Sequence, residues 1–180
     1  MTSLTSASGT RDTTFVLNGT ETTLTVRPRT LLSDALRHDA GVHGTHVGCE
    51  QGACGACTVI VDNVARRSCL TLTPQVDGCT VETIESVATS LGDRSIGLDP
   101  IQQAIHDAHG MQCGFCTPGI VMSLVAARRA GVDRAVAIDD VLDGHLCRCT
   151  GYVNLRAAIE IAWNDLEPRS LEPNKLEPGP

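Results

Sequence analysis

The pattern of apolar and polar residues divides the chain into two halves, and the first half carries strand and turn signals. The segment 13–26 consists of two β-prone runs around Asn18-Gly19, a dipeptide that favours a two-residue hairpin turn. The segment 31–41 predicts one short helix with Thr30 as its N-cap. Further β-prone runs lie at 58–61, 68–72 and 80–84. Together these elements predict a small mixed sheet that holds one helix.

The second half of the chain repeats its apolar residues at helical spacing. The segment 99–110 opens with Asp99 as N-cap, Pro100 at the first helical position and Gln102 in a capping box. Further helical segments lie at 117–131, 134–143 and 154–163. Four short helices separated by tight turns predict a small helical bundle, so the predicted fold class is α+β.

The two ends of the chain differ in composition from the part between them. Residues 1–12 are rich in serine and threonine, and we expect them to be disordered. The tail repeats the triplet Leu-Glu-Pro three times, which predicts an extended, mobile arm, with docking to a partner as the alternative. The predicted division of the chain is a disordered segment at 1–12, a sheet domain at 13–85, a linker at 86–98, a helical domain at 99–164 and a tail at 165–180.

Composition and charge narrow the range of functions. The apolar fraction of 42% supports a packed core, and the net charge of −7 argues against binding to nucleic acid. No apolar run is long enough to span a bilayer, and the N-terminus lacks the features of a secretory signal, so we expect a cytoplasmic protein. In that reducing compartment, nine cysteines indicate metal or redox chemistry more than disulfides.

Four of the cysteines lie in the sheet half. Three of them follow the spacing C-x4-C-x2-C and a fourth lies further on, which is the pattern of plant-type [2Fe–2S] ferredoxins. The glycines Gly48, Gly52 and Gly55 allow this loop to turn sharply and to bring its N–H groups close to sulfur. The four candidate ligands are Cys49, Cys54, Cys57 and Cys69.

Four more cysteines lie in the helical half, in two motifs that each precede a predicted helix. Helix N-termini favour negative charge and lower the pKa of thiols, so two such ends could place four thiolates around one anionic centre. Taken alone, these motifs are also compatible with structural zinc or a redox disulfide. The two sets together favour iron–sulfur chemistry, and Cys79 is left as a structural or incidental thiol. The candidate ligands are Cys113, Cys116, Cys147 and Cys149.

The motifs GCEQGACGACTVIVD, SCLTLTPQVDG, TIE, MQCGFCTPGIVMS and LCRCTGY resemble the small iron–sulfur subunits of the molybdenum hydroxylases, the xanthine dehydrogenase family. The resemblance covers residues 13–163 and also extends to the small chains of carbon monoxide, nicotine and quinoline dehydrogenases. It implies a ferredoxin-like β-grasp domain followed by a four-helix domain, each with one [2Fe–2S] cluster bound by the cysteines named above.

The resemblance also implies a function and partners. The chain is expected to transfer electrons from the molybdenum–pterin (molybdopterin) cofactor of a large subunit to FAD in a medium subunit, within a dimer of heterotrimers. The ferredoxin-like cluster is expected to be the outer one, and the second cluster to lie beside the pterin. Gln112 and Cys149 are then expected close to the pterin, with Gln112 hydrogen-bonded to it; the alternative for Gln112 is a bond to nearby backbone.

Some residues near the motifs do not follow directly from the family pattern. His145 stands where family members usually carry asparagine, and we expect a surface histidine in a preserved turn. The arginines Arg66, Arg67 and Arg148 lie near ligand cysteines and could favour the reduced clusters, or they could be solvated surface residues. Two other functions stay open from the sequence: a free-standing electron carrier and a zinc-binding interaction module.

Overall fold

The computed structural model describes residues 9–88 and 97–164. The predicted tail at 165–180, residues 1–8 of the predicted N-terminal segment and residues 89–96 of the predicted linker lie outside the described residues. The first strand begins at Arg11, two residues earlier than predicted, because Arg11 pairs with Val26 in the sheet and its guanidinium lies 2.7 Å from the carboxylate of Asp77.

Five strands form one mixed sheet in the order β2-β1-β5-β3-β4. β1 pairs in parallel with β5, and the other neighbouring strands pair antiparallel. Asn18 and Gly19 both have positive φ, at 50° and 83°, which confirms the predicted hairpin turn. The strands are β1 (Arg11–Leu17), β2 (Thr20–Val26), β3 (Thr58–Val61), β4 (Val64–Arg67) and β5 (Thr80–Glu82).

Two details of the sheet differ from the prediction. The segment 68–72 is not a strand: Ser68–Leu70 forms a 3-10 turn, and the Ser68 hydroxyl donates to the Cys57 carbonyl at 2.8 Å. β4 precedes this turn and was not predicted, because most of its side chains are exposed and carry no apolar alternation. The signal for β4 was the pair Asp62-Asn63, whose φ angles of 47° and 66° make a second hairpin turn.

The single helix of the sheet half is irregular. Helix α1 (Leu32–Asp34) continues as a π-helical turn (Ala35–Asp39). The predicted N-cap Thr30 is wrong, since Leu31 occupies that position and no side chain caps the helix. The Thr30 carbonyl instead accepts hydrogen bonds from the backbone and hydroxyl of Thr73. A short helix α2 (Ile84–Val87) then ends the sheet half.

Helices lie at all four positions predicted in the second half. The capping box of the first is confirmed: Asp99 accepts from the Ile101 N–H at 2.8 Å, and Gln102 accepts from the Asp99 N–H at 3.0 Å. The four helices are α3 (Pro100–Asp107), α4 (Thr117–Arg129), α5 (Arg134–Val136), which continues as a π-helical turn (Ala137–Leu142), and α6 (Val153–Asn164). None of the described helices has the length and apolar character needed to cross a membrane.

The two halves have separate cores that meet at strand β3. Val59 and Val61 point into the sheet core, whereas Ile60 points into the helical core, because side chains alternate along a strand. Helix α4 packs against this face of the sheet, and Arg129 at its end forms two hydrogen bonds with Glu82, at 2.6 and 3.0 Å. The N-terminal end of α4 lies against the first cysteine loop, since a side chain at Gly119 would collide with the backbone of Gly55 and Ala56.

Candidate metal centres

The first cysteine loop turns through residues with left-handed backbone geometry. Gly52 and Gly55 have φ angles of 75° and 79°, as their predicted role in sharp turns requires. This geometry directs the backbone N–H groups of Gln51 and Cys54 at the sulfur of Cys49, each at 3.4 Å. The loop therefore provides two backbone hydrogen-bond donors that stabilise negative charge on the Cys49 sulfur.

The thiols of the first set differ strongly in their pKa values. The N–H groups of Gln51 and Cys54 lower the pKa of Cys49 to about 7, because they stabilise its thiolate. Burial, and then interaction with the Cys57 thiol, raises the pKa of Cys69 to about 11. Cys49 interacts with Cys54, and Cys57 with Cys69, so this set is organised as two neighbouring pairs.

The second set lies where the sequence predicted, at the N-termini of two helices. Cys116 is the N-cap residue of α4, and Cys113 lies three residues before it. Cys147 and Cys149 lie in the loop that precedes α6. The Cys113 and Cys149 sulfurs lie 3.5 Å apart. Burial, followed by interaction with Cys147, raises the pKa of Cys116 to about 12. This set is also two pairs, formed across the two motifs.

Cys147 of the second set is surrounded by hydrogen-bond donors from its own loop. Burial raises the pKa of Cys147. Hydrogen bonds from the Thr150 hydroxyl and from the backbone N–H groups of Thr150 and Cys149 outweigh this effect, so the net pKa is below its usual value. The Thr150 hydroxyl lies 3.2 Å from the Cys147 sulfur. In this loop a side-chain hydroxyl thus provides part of the hydrogen bonding to sulfur that backbone N–H groups provide in the first loop.

The pairing of the thiols is the chemical clue to what they could hold. Across the described residues 9–88 and 97–164, no three metal-ligating side chains converge as they would around one ion. A [2Fe–2S] core takes two ligands on each of its two irons, so it needs pairs of thiolates. All nine cysteines are free thiols, and eight of them lie in these pairs. The donor sets therefore fit two such cores.

The ninth cysteine, Cys79, lies apart from both sets. Its thiol is half-buried and interacts with the carboxylate of Asp62. Burial and then this carboxylate raise the pKa of Cys79, which disfavours a thiolate. Its position agrees with the prediction of a structural or incidental thiol.

The second loop is closed by Tyr152, a residue that was not predicted to belong to the site. The Tyr152 hydroxyl donates to the His145 carbonyl at 2.9 Å and accepts from the Cys147 N–H at 2.8 Å. Tyr152 has a φ of 66°, which aims its ring back along the loop. A signal was present, because this is the one tyrosine of the chain and it directly follows the second cysteine motif.

His145 is buried, which makes the prediction of a surface histidine wrong. Its side chain is 2% exposed, and its Nε2 lies 2.8 Å from the Ser123 hydroxyl on α4. Burial and then the charge of Arg67 lower the pKa of His145 to about 3, so its ring is neutral near neutral pH. His145 is not among the residues with positive φ, so its backbone is outside the left-handed region.

The three arginines near the motifs have different surroundings. Arg66 and Arg148 are exposed, whereas Arg67 is half-buried between the two loops. Its guanidinium donates to the Gly52 carbonyl at 3.4 Å, to the Gly144 carbonyl at 2.8 Å and to the Thr58 hydroxyl. Arg67 therefore ties the two cysteine loops together and is not a solvated surface residue.

A second contact between the loops involves aromatic rings. The ring of His46 stacks on Phe115 with centroids 4.9 Å apart, and its Nδ1 lies 2.8 Å from the Phe115 carbonyl. A side chain at Gly48 would meet the Phe115 ring at 3.1 Å, so the glycine allows this approach. Phe115 stands between Cys113 and Cys116, and the contact joins the two sets.

Gln112 lies at the surface beside the second set. Its side chain is exposed, and it makes no hydrogen bond with the part of the chain that the structure describes. The alternative prediction, a bond from Gln112 to nearby backbone, is therefore not found. Its amide is available to a group outside the chain.

Comparison with known proteins agrees with two iron–sulfur domains. Residues 15–85 match the model of the 2Fe-2S iron-sulfur cluster binding domain, and residues 83–160 match that of the [2Fe-2S] binding domain. The chain is 44% identical over 150 residues to the caffeine dehydrogenase subunit gamma of Pseudomonas sp. (strain CBB1), with 81% of this chain and 87% of that one covered.

Two further relatives support the same assignment. The nicotine 6-hydroxylase small subunit of Paenarthrobacter nicotinovorans is 40% identical over 144 residues, which are 79% of this chain and 84% of that one. The crystal structure of quinoline 2-oxidoreductase from Pseudomonas putida 86 matches with a TM-score of 0.74 at 36% identity, covering 87% of this chain and 98% of that chain. The chain therefore belongs to the family of small [2Fe–2S] subunits of the molybdenum hydroxylases, as a subunit of an oxidoreductase complex.

Proposed function

We propose that this chain carries two [2Fe–2S] clusters and passes electrons from the molybdopterin centre of a large subunit to FAD in a medium subunit. The observation that carries the proposal is the presence of two sets of paired thiols in loops that contact each other directly. The proposed ligands are Cys49, Cys54, Cys57 and Cys69 for the first cluster, and Cys113, Cys116, Cys147 and Cys149 for the second.

The clusters, when bound, supply one-electron redox chemistry. The chain's own residues hold the sulfurs in place and set the polarity around them. The N–H groups of Gln51 and Cys54 stabilise negative charge on the Cys49 sulfur, and the Thr150 hydroxyl acts in the same way on Cys147. Because hydrogen bonds to sulfur favour the more negative, reduced state, these donors are expected to raise the reduction potentials.

The second site is the one that we propose faces the large subunit. Cys113 and Cys149 are exposed, and the apolar residues Met111, Leu146 and Val153 beside them are 50%, 62% and 71% exposed. Exposed apolar side chains around candidate ligands are typical of a surface that a partner covers. A free-standing electron carrier has no such need, so these residues favour a subunit over a carrier.

The remaining parts of the proposal concern layout and assembly. We assign a β-grasp domain to residues 13–85 and a four-helix domain to residues 99–164, joined by 86–98. Gln112, whose amide has no partner among the described residues, is proposed to hydrogen-bond the pterin of the large subunit. The first cluster is then the outer one, nearer to FAD, and the complex is proposed to be a dimer of heterotrimers.

The test is to purify the native complex and analyse its metals and flavin. We expect about four iron atoms for each copy of this chain, with molybdenum and FAD in the co-purifying chains, and two distinct EPR signals after reduction. The relatives named for caffeine, nicotine and quinoline suggest nitrogen heterocycles as the first substrates to assay. A colourless preparation that contains zinc, or a chain that purifies alone with its iron, would contradict the proposal.

A further inference from the structure

His145 lies buried where three parts of the molecule meet. Its own backbone belongs to the second cysteine loop, and its Nε2 lies 2.8 Å from the hydroxyl of Ser123 on α4. Its ring rests on the first cysteine loop, since a side chain at Gly55 would collide with the ring's Nδ1. No other residue of the second loop's segment 144–149 is buried.

The backbone around His145 makes three successive hydrogen bonds. The N–H of His145 donates to the Leu142 carbonyl at 3.0 Å, and the N–H of Cys147 donates to the Tyr152 hydroxyl at 2.8 Å. The middle one crosses between the loops: the N–H of Leu146 donates to the Cys54 carbonyl at 2.9 Å. This bond joins Cys54 of the first set to the residue that precedes Cys147 of the second.

The crossing bond provides a short connection between the two ligand sets. It runs from the Cys54 sulfur through its own backbone carbonyl, across one hydrogen bond, and through the Leu146–Cys147 peptide to the Cys147 sulfur. Leu146 cannot hold this bond through its own side chain, which is 62% exposed. The buried ring beside it can, because it is fixed by Ser123 on one side and Gly55 on the other.

We propose that His145 is a positioning residue that holds the Leu146 N–H against the Cys54 carbonyl and so fixes the contact between the two cluster sites. The inference rests on the proposed function, in which one electron leaves the second cluster and enters the first with no bond made or broken. Arg67 supports the same segment from its other end, through its hydrogen bond to the Gly144 carbonyl.

The experiment uses the purified complex with its iron, comparing wild type, His145→Ala, His145→Asn and Ser123→Ala. The readouts are hydrogen exchange at the Leu146 amide and the magnetic interaction between the two reduced clusters in EPR spectra. Without the His145 ring, the hydrogen bond between the Leu146 N–H and the Cys54 carbonyl should open more often. Exchange at this amide is therefore expected to be about tenfold faster or more in His145→Ala. The magnetic interaction should weaken, while His145→Asn, which keeps a polar side chain, should lie between.

The exposed residue His38 offers a matched control, since it lies in the π-helical turn Ala35–Asp39, outside both cysteine loops, and His38→Ala should change neither readout. Wild-type exchange and magnetic interaction retained in His145→Ala would overturn the inference and leave the proposed function intact. A wild-type complex that lacks two reducible clusters would instead overturn the proposed function, and one with two clusters that do not interact magnetically would overturn the inference alone. If His145→Ala loses iron, Ser123→Ala decides, because it removes only the ring's partner: unchanged exchange at the Leu146 amide then overturns the inference.

Discussion

The two cysteine loops present the same kind of donor set by different means. In the first loop, glycines with left-handed geometry fold a short stretch of chain so that its own N–H groups reach the Cys49 sulfur at 3.4 Å. In the second, two separate motifs are brought together by helices, and side chains such as Thr150 and Tyr152 complete the surroundings of Cys147. Three of the four thiols of the first site are therefore local in sequence, with Cys69 added from the turn after β4, whereas the second site is a product of the tertiary fold.

This difference has consequences for how each loop tolerates change. The first loop depends on the absence of side chains, since added atoms at Gly52 or Gly55 would collide with Leu70 or His145. The second depends on the presence of particular polar groups. Substitutions that add atoms should damage the first loop, and substitutions that remove hydroxyls should damage the second.

Removal of one ligand from each loop should have the largest effect. Cys57→Ser is expected to abolish the first cluster and Cys113→Ser the second, with iron falling by about half in each case. EPR spectra and iron analysis of the complex check which cluster is lost. Cys79→Ser is the matched control, because its thiol interacts with Asp62, and it should keep both clusters. Loss of iron in Cys79→Ser would show that the ligand sets are wrong.

Added atoms in the first loop can be compared with added atoms at a surface glycine. Gly55 and Gly131 both have positive φ, at 79° and 69°, but a side chain at Gly131 meets nothing within 4 Å. Gly131→Ala should cost about 1 kcal/mol of stability from the backbone alone, and Gly55→Ala about 2 kcal/mol more from the collision with His145. Urea unfolding of both variants measures the difference, and equal losses would contradict this account of the first loop.

A removed hydroxyl tests the second loop. Tyr152→Phe should leave the Cys147 N–H and the His145 carbonyl without their shared partner, at a cost of about 1–2 kcal/mol in stability. The EPR signal of the second cluster should change, and that of the first should not. Thr23→Val serves as a control, because it removes a hydroxyl bonded to Thr14 on the exposed face of the sheet. Equal changes in both EPR signals would contradict the idea that only the second loop depends on side-chain hydroxyls.

The smallest effect expected is a difference in thiol reactivity in the chain freed of iron. Cys49, with a pKa lowered to about 7 by backbone N–H groups, becomes a thiolate as the pH rises through neutrality. Cys116, with a pKa raised to about 12 by burial, stays protonated throughout that range. Alkylation between pH 6 and pH 8, followed by mass spectrometry, should label Cys49 increasingly and leave Cys116 largely unmodified. Equal labelling would mean that the first loop loses its shape without iron.

Features that depend on neighbouring residues in the sequence were predicted well. The hairpin at Asn18-Gly19 and the capping box of Asp99 and Gln102 are examples, because the turn and the cap are formed by the same few residues that signal them. The division of eight cysteines into two sets followed from the spacing of the first set and from the helices that begin after the two motifs of the second, although the pairs within the second set form only in the tertiary fold.

Features that depend on distant contacts were not predictable in this way. His145 looks like a turn residue in sequence, and only the approach of Ser123 and Gly55 makes it a buried one. Arg67 looks like a surface charge until Gly52 and Gly144 are placed on either side of it. In both cases the partner lies on another element, and no local pattern records the distance between them.

Strand β3 contributes to both hydrophobic cores, and this affects how the molecule unfolds. Val59 and Val61 belong to one core and Ile60 to the other, so unfolding either core strips one face of the same short strand. The two halves are then expected to unfold as one cooperative unit, although each has its own metal site. A half expressed alone would carry an uncovered apolar stripe, which makes separation of the two iron–sulfur modules costly in stability and solubility.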